Sequence, residues 1–168
     1  ALLSTSLGMN AYAADWPQWG GTECRNLVSS EEGLPSSFTR GTRVGGSIDP
    51  KTAENVRWVA KMGSFAYGNP TVADGRVCYQ TVSHVVCLGA DDGNEVWRCD
   101  GEELWEGVPG FPKQPLVFLE WIIGCRDGLL PISIHEKPNS SQRAGKEDAS
   151  LLALLMLKTG ERLWIHPQ

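Results

Sequence analysis

Two segments of this chain end in the same arrangement, a glycine followed after three residues by a tryptophan. They are Val85–Trp97 and Leu151–Trp164, and each passes from an apolar stretch through a polar turn to the glycine. Glycine suits a tight turn because it adopts positive φ without steric cost. The tryptophan then stands on the next strand, where its indole can cover a neighbouring sheet and donate its N–H to a backbone carbonyl. The recurrence predicts a chain built from repeated β-sheet units.

A second correspondence gives the approximate size of the repeat. Asn69–Val72 (NPTV) is answered by Gln114–Val117 (QPLV) roughly 45 residues later, which is the length of a four-stranded propeller blade. The two Gly-x-x-x-Trp endings lie further apart than this, so the second unit is predicted to carry an insertion. Leu129–Ala149, with its prolines and polar residues, has the composition of that insertion.

The first unit has the pattern of an antiparallel sheet. We predict sheet over most of Asn55–Asp100 and no long helix there, with Asp74-Gly75 as a hairpin turn and Asp91–Gly93 as a second turn. Across the chain the predicted strands are Asn55–Lys61, Arg76–Val82, His84–Leu88, a strand beginning at Glu95, Trp121–Cys125 before a turn at Asp127-Gly128, and Leu151–Leu157. Leu151–Leu157 is predicted as a strand although its leucines and alanine also suit a helix.

The cysteines and histidines do not form a metal-binding pattern. The five cysteines (24, 78, 87, 99 and 125) contain no CxxC pair, and the three histidines (84, 135 and 166) are isolated, which argues against a zinc site. If Val82-Ser83 form a two-residue turn, Cys78 lies opposite Cys87 on one face of the sheet. We predict that these two are near neighbours and remain reduced. A longer loop would separate them, and a disulfide would need a closer approach.

Charge and the N-terminal residues bear on location and partners. Fifteen basic and twenty acidic residues give a net charge of -5, which argues against non-specific nucleic-acid binding. No segment has the roughly 20 apolar residues of a transmembrane helix. Leu2–Met9 is apolar and Ala11–Ala13 has the small-x-small pattern that signal peptidase accepts, so residues 1–13 are interpreted as the end of a secretory signal, cleaved after Ala13. The alternative is a frayed tail or a buried first strand.

No arrangement of residues selects a catalytic site. The acidic residues fall at predicted turns or exposed strand positions, where a solvated charge is the ordinary interpretation; they are Asp91, Asp92, Glu95, Glu102 and Glu103. No Gly-x-Ser-x-Gly elbow is present, and neither Gly20-Gly21 nor Gly45-Gly46 precedes a phosphate-binding helix. Trp16, Trp19 and Trp58 are suited to stacking on a quinone or a sugar, but packing between sheets is favoured. We therefore assign no catalytic residue and no metal-ligating residue, and the cofactor-binding residues stay unknown.

The two glycine–tryptophan endings resemble the tryptophan-docking motif of the PQQ-like (pyrroloquinoline-quinone-like) β-propeller repeat family, Ala-x-Asp-x-x-Thr-Gly-x-x-x-Trp. They stand at Cys87–Trp97 and Leu154–Trp164, with Cys87 and Leu154 in place of the alanine and Gly89 and Met156 in place of the aspartate. Trp16–Gly21 and Asn55–Val77 also look like secreted planctomycete-type PQQ-binding-like repeat proteins, so the likeness is strongest over residues 15–99.

The resemblance implies an all-β fold, an incomplete β-propeller. Propellers of this family close with about six to eight blades, whereas this chain supplies about two to three four-stranded antiparallel blades, so we interpret it as an N-terminal fragment; a small self-contained β-domain is the alternative. After the signal remnant, residues 14–54 form an aromatic and loop segment and residues 55–168 the partial propeller. Trp97 and Trp164 are expected to be partly buried plugs between blades, with Trp164 the more exposed of the two.

The resemblance leaves two function classes. The first is a non-catalytic, periplasmic or secreted scaffold that binds a protein or cell-envelope partner and needs no cofactor. The second is a PQQ-dependent oxidoreductase, whose full-length form would hold PQQ with Ca²⁺ and of which this chain would be the N-terminal blades. Those dehydrogenases often carry a disulfide between adjacent cysteines, and no adjacent pair occurs here. The scaffold is therefore the expected function.

Overall fold

The computed structural model describes residues 14–63, 68–108, 117–136 and 150–167. Most of the ordered elements in these ranges are β-strands, in three antiparallel sheets, which confirms the β class. The strands are β1 (Arg43–Val44), β2 (Ser47–Ile48), β3 (Thr71–Ala73), β4 (Arg76–Gln80), β5 (His84–Gly89), β6 (Glu95–Asp100), β7 (Val117–Ile122), β8 (Leu129–Glu136), β9 (Ser150–Met156) and β10 (Arg162–Pro167). Helical structure in the described ranges is limited to a 3-10 turn at Pro50–Thr52 and a short helix α1 at Gly101–Trp105.

Two four-stranded sheets dominate the architecture, and each is an antiparallel meander. The first sheet has the order β3-β4-β5-β6 and the second the order β7-β8-β9-β10, so neighbours in the sheet are neighbours in the sequence. This confirms the prediction of four-stranded antiparallel units. β1 and β2 form a separate small hairpin. The described residues do not form a closed ring of sheets.

The first hairpin of each large sheet turns on the same dipeptide. Asp74 and Gly75 have φ values of 48° and 68°, and Asp127 and Gly128 have 52° and 73°. Two consecutive positive φ values are what a type I′ turn requires, and aspartate followed by glycine adopts them most readily in two-residue hairpins. Both turns were predicted from the sequence, and the structure confirms them.

Alternating apolar residues place one hydrophobic core between the two sheets. On the second sheet the core face carries Leu130, Ile132 and Ile134 of β8 together with Leu151 and Leu155 of β9, all with no exposed surface. The same cluster contains Ala73, Cys78, Val85 and Cys87 of the first sheet and Leu104 and Trp105 of α1. Burying an aliphatic side chain of this size contributes about 1.5–3 kcal/mol, so this interface dominates the stability of the described region.

The predicted insertion at Leu129–Ala149 is wrong over its first part. Leu129–Glu136 is β8, a central strand paired with both β7 and β9. Proline usually argues against a central strand because it lacks an N–H. Here the Pro131 carbonyl accepts the Ile123 N–H at 3.0 Å, so the Pro131 nitrogen also faces β7. The last β7–β8 pair is Ile122–Ile132, and Pro131 lies beyond it, so the ladder does not need its missing N–H. The rest of the predicted insertion, residues 137–149, lies outside the described residues.

Two predicted strands also require correction. Asn55 has a φ of 57°, and the side chains from Val56 to Lys61 alternate between partly buried and exposed, but Asn55–Lys61 joins no strand ladder in the described part of the chain. The strand predicted at Trp121–Cys125 lies earlier, as β7 (Val117–Ile122). Periodicity identifies an extended backbone, but whether a neighbouring strand pairs with it depends on tertiary structure. By contrast, the predicted strand at Leu151–Leu157 is confirmed as β9.

Candidate functional site

The contact between the two large sheets is centred on Trp97. Its indole Nε1 donates to the Leu157 carbonyl oxygen at 2.8 Å, across from β6 to the end of β9. The ring covers Gly160, which has a φ of 75°. A methyl group added to Gly160 would lie 2.7 Å from Cε3 of Trp97, closer than carbon atoms pack. The absence of a side chain at Gly160 is therefore what admits the indole.

The same contact occurs earlier in the chain, between Trp58 and Gly93. The Trp58 Nε1 donates to the Ala90 carbonyl oxygen at 2.8 Å, and its ring covers Gly93, where an added methyl would lie 2.5 Å from Cδ2. Gly93 has a φ of 69°. In both contacts the accepting carbonyl belongs to the third residue before the glycine. We call this arrangement the tryptophan–glycine contact; the sequence pointed to Trp58 but not to its partner.

Trp97 and Trp164 lie on corresponding faces of the two large sheets. Trp97 pairs with Cys87, on the face of the first sheet that is packed against the second. In the second sheet Trp164 pairs with Leu154, whereas its neighbours Ala153 and Leu155 are in the core. Because successive side chains of a strand point to opposite faces, Trp164 lies on the face directed away from the first sheet. Trp97 of the first sheet therefore points toward the second sheet, and Trp164 of the second sheet points away from the first.

Trp164 remains exposed on that outer face. It is 47% exposed, whereas Trp97 is partly buried, which confirms the predicted order of exposure. Its ring stacks on His166, with centroids 5.5 Å apart and planes inclined by 16°. Beside it lie half-buried apolar side chains of β9, which alternate with the core residues; this outer face consists of Leu152, Leu154, Met156, Trp164 and His166. An exposed aromatic and aliphatic surface of this kind is typical of a protein-binding face.

A cleft of about 330 Å³ adjoins the outer face. It is formed where the chain leaves β7 and where β8 and β9 begin their pairing, and its apolar lining includes Ile123, Leu129, Pro131 and Leu154. Gln18 of the N-terminal segment closes one side. The outer face thus offers a concave apolar edge as well as the exposed indole.

A larger cleft of about 490 Å³ lies at the turn end of the two sheets. Its charged lining consists of Asp74 and Arg76 from the first sheet and Asp127 and Lys158 from the second. Two carboxylates and two cations balance each other there, and no nucleophile with an adjacent base is among the lining residues. The cleft has room for a small polar molecule but does not indicate a reaction.

The other tryptophans proposed for ligand stacking serve packing or face solvent. Trp16 forms an isolated bridge with Val72, with N–O distances of 2.8 and 3.0 Å, and its ring lies against Gly21. Trp58 is occupied by Gly93 and Ala90, as described above. Trp19 is 61% exposed. The packing interpretation therefore holds for Trp16 and Trp58.

All five acidic residues considered for catalysis are exposed, in agreement with the solvated interpretation. Asp91 pairs with Arg57 at 3.4 Å and Glu95 with Arg98 at 2.7 Å. The backbone N–H and then the side chain of Asn94 hold the pKa of the Asp92 carboxyl below its usual range. Glu102 and Glu103 lie in the first turn of α1 rather than in a turn or strand.

The histidines lie apart from one another. His84 Nδ1 is 3.0 Å from the Ser83 hydroxyl, and burial, followed by the charge of Arg98, lowers the pKa of His84. His135 Nε2 is 3.1 Å from the Ser133 hydroxyl, and His166 stacks on Trp164. In the described ranges no group of three His, Cys, Asp or Glu residues is arranged to hold a metal ion. No helix in those ranges is long and apolar enough to cross a membrane.

Comparison with known proteins adds no relative. No protein family matches the chain, and no curated protein matches it. The candidate site is therefore defined by geometry: two tryptophan–glycine contacts inside the protein and a third tryptophan, Trp164, exposed on the outer face. Chemically, the outer face offers an exposed aromatic and aliphatic contact surface.

Proposed function

We propose that this chain belongs to an exported, non-catalytic β-propeller scaffold of the PQQ-like repeat family, which binds a protein or cell-envelope partner. The observation that carries the proposal is the repeated tryptophan–glycine contact, formed by Trp58 with Gly93 and by Trp97 with Gly160. It supports the family because Gly93, Trp97 and Gly160 belong to the two motif copies that resemble it, and Trp58 lies in Asn55–Val77, which also resembles it. It supports a scaffold because both contacts are packing contacts, in which an indole ring covers a glycine and donates to a backbone carbonyl.

The outer face is the proposed contact with the partner. Tryptophan and methionine are enriched at protein interfaces, where a rigid ring and a flexible thioether cover large apolar areas. Trp164 and Met156 lie on this face, and Leu154 lines the adjoining cleft. A partner that presents a turn with glycine at positive φ would receive the Trp164 ring as Gly160 receives that of Trp97.

The alternative is that the chain supplies the N-terminal blades of a PQQ-dependent oxidoreductase. A quinone with Ca²⁺ needs clustered carboxylate and amide oxygens. Asp91 and Glu95 pair with cations at exposed positions, and the carboxylates Asp74 and Asp127 share their cleft with Arg76 and Lys158. These residues do not fit that group, and we derive no reaction step through it.

Site-specific crosslinking in an exporting cell tests the scaffold. A photoreactive phenylalanine at His166, beside Trp164, is expected to give an adduct with one defined protein or envelope component. The matched control carries the same group at Trp19, which is exposed but lies outside the outer face. Trp164→Arg should abolish the adduct at position 166 while the chain stays folded. Equal adducts at both positions, or an adduct insensitive to Trp164→Arg, would remove the support.

A second experiment separates the two function classes. Purified full-length protein is titrated with PQQ and Ca²⁺, and absorbance and dye reduction are recorded. The scaffold proposal expects neither a bound quinone spectrum nor substrate-dependent dye reduction. A stoichiometric quinone spectrum accompanied by dye reduction would establish the oxidoreductase instead.

A further inference from the structure

Cys78 and Cys87 form a directly opposed pair in the middle of the first sheet. They are cross-strand partners of β4 and β5, and neither has any exposed surface. Backbone hydrogen bonds on both sides of the pair show whether it is a hydrogen-bonded or a non-hydrogen-bonded pair. Thr81 N–H donates to the His84 carbonyl at 2.9 Å, and Ala90 N–H donates to the Gly75 carbonyl at 3.0 Å. Counting inward from either bond, hydrogen-bonded and non-hydrogen-bonded pairs alternate, and Cys78–Cys87 is a non-hydrogen-bonded pair.

This pair type brings the two sulfurs as close as two strands allow. In non-hydrogen-bonded antiparallel pairs the Cα atoms are about 4.5 Å apart and the side chains are closer than at other positions. A disulfide accepts Cα separations of about 4.4–6.8 Å and needs Cβ atoms about 3.8 Å apart. The separation of about 4.5 Å that is typical of this pair type lies within that range, so a small adjustment of the two Cβ positions suffices.

Both cysteines are free thiols in this structure, in agreement with the prediction of a reduced pair. We propose that Cys78 and Cys87 are nevertheless a dithiol–disulfide site, which an oxidising compartment converts to a cross-strand disulfide while the chain folds. The oxidant is an external disulfide, either glutathione disulfide or the disulfide of a thiol–disulfide oxidoreductase. One protein thiolate attacks it, forms a mixed disulfide and releases the first external thiol. The second protein thiolate attacks the protein sulfur of that mixed disulfide and releases the second. Two protein thiols are oxidised, one external disulfide is reduced, and the two protons pass to the released thiols.

The site lies directly under the contact between the sheets. The Cys87 sulfur is 4.0 Å from the Leu157 carbonyl oxygen, the same oxygen that accepts the Trp97 indole N–H. In the reduced chain this carbonyl therefore faces two donors. Forming the disulfide removes the Cys87 proton and leaves the carbonyl to Trp97 alone, while it ties together the two central strands of the sheet.

Burial determines when the reaction takes place. The neighbouring Cys87 thiol and then burial raise the pKa of the Cys78 thiol far above its usual range. Only the thiolate attacks a disulfide, and an external disulfide has no path to two sulfurs with no exposed surface. Oxidation is thus fast in the unfolded or partly folded chain and slow once the second sheet covers the pair.

Refolding in a glutathione redox buffer tests the inference. It rests on the proposed export only for the natural source of oxidant, so the experiment uses purified chain and is independent of location. The unfolded chain is refolded with glutathione and glutathione disulfide, unfolded again, alkylated, digested and analysed by mass spectrometry. We expect a linked pair of peptides containing Cys78 and Cys87, lighter by two hydrogens than the sum of the reduced peptides. Alkylation of both residues, or a link from either one to Cys125, would overturn the assignment.

Variants isolate the pair from the other cysteines. In the Cys24→Ser, Cys99→Ser, Cys125→Ser chain the same link should form, and in Cys87→Ala it should be replaced by a glutathione adduct or a free thiol at Cys78. A failure of the triple variant to fold leaves the decision to the peptide map of the unaltered chain. Oxidant added to folded, reduced chain should form the link at least about tenfold more slowly than oxidant present during refolding. Equal rates would contradict the burial argument.

Discussion

Gly160 lies directly beneath the indole of Trp97, so that an added methyl group would stand 2.7 Å from Cε3 of the ring. The two residues belong to successive copies of one sequence pattern, and the contact joins the sheets in which they lie. Gly93 has the same relation to Trp58. In both contacts the turn glycine receives a tryptophan from an earlier part of the chain.

Gly160→Ala is expected to weaken the contact between the sheets. The new methyl group collides with the indole, and φ at this position is 75°, which alanine adopts only with strain. Gly128→Ala is the matched control, because Gly128 lies in the same sheet with a φ of 73° and has nothing within 4 Å of its added methyl. We expect Gly160→Ala to cost about 1–3 kcal/mol more than Gly128→Ala, measured by urea unfolding. Equal losses would mean that the ring does not cover Gly160.

Trp97→Ala should destabilise the chain much more than Trp164→Ala. Trp97 loses a partly buried ring and its hydrogen bond to Leu157, at a cost of about 2–4 kcal/mol. Trp164 is 47% exposed, so its removal should cost less than about 1 kcal/mol. Both variants are compared with the unaltered chain by denaturant unfolding at one protein concentration. A larger loss of unfolding free energy in Trp164→Ala would contradict the placement of Trp97 between the sheets and of Trp164 on the outer face.

Arg162 is expected to hold α1 against the second sheet. Its Nη1 donates to the Leu104 carbonyl at 2.6 Å and to the Glu106 carbonyl at 3.0 Å, at the C-terminal end of the helix. Arg162→Met keeps much of the aliphatic stem but leaves both carbonyls without this donor, which should cost about 1–2 kcal/mol. Arg126→Met is the control, because Arg126 forms exposed ion pairs whose loss should change stability by less than about 0.5 kcal/mol. If the two variants had the same urea midpoint, this role of Arg162 would be wrong.

Stability should decline as the pH falls below the ordinary pKa of histidine. Burial lowers the pKa of His84 in the folded chain, so the unfolded chain binds the proton more readily. Since stability rises with pH wherever the unfolded state binds more protons, the His84 contribution is complete above the unfolded pKa of about 6.5. It is lost as the pH falls through the lower, folded value. His84→Gln should flatten the stability profile over that window, whereas His166→Gln should leave that decline in place; an unchanged profile in His84→Gln would refute the assignment.

Local chemistry made much of the fold predictable from the sequence. The turns at Asp74-Gly75 and Asp127-Gly128 require only the preference of that dipeptide for positive φ. The opposition of Cys78 and Cys87 follows from a two-residue connection at Val82-Ser83, which places Thr81 opposite His84. The apolar alternation of Leu151–Leu157 likewise identifies a strand with one buried face.

The errors arose where distant residues decide the structure. The prolines and polar residues of Leu129–Ala149 predict an insertion, yet its first part is β8, where the Pro131 nitrogen lies beyond the last ladder pair with β7. Asn55–Lys61 has the alternation of a strand, but pairing depends on a neighbour that periodicity cannot supply. The carbonyls of Ala90 and Leu157, which accept the indole N–H groups, carry no mark in the sequence because every residue has a carbonyl.

Proton NMR can show whether the Trp97 ring covers Gly160. With the tryptophans and glycines assigned, we expect nuclear Overhauser contacts between the Trp97 ring protons and the Gly160 α protons, which should be shifted upfield by the ring current. The Cys78 and Cys87 α protons, opposed in a non-hydrogen-bonded pair, should show a strong contact that certifies the folded first sheet. Contacts between Cys78 and Cys87 without any between Trp97 and Gly160 would contradict the account.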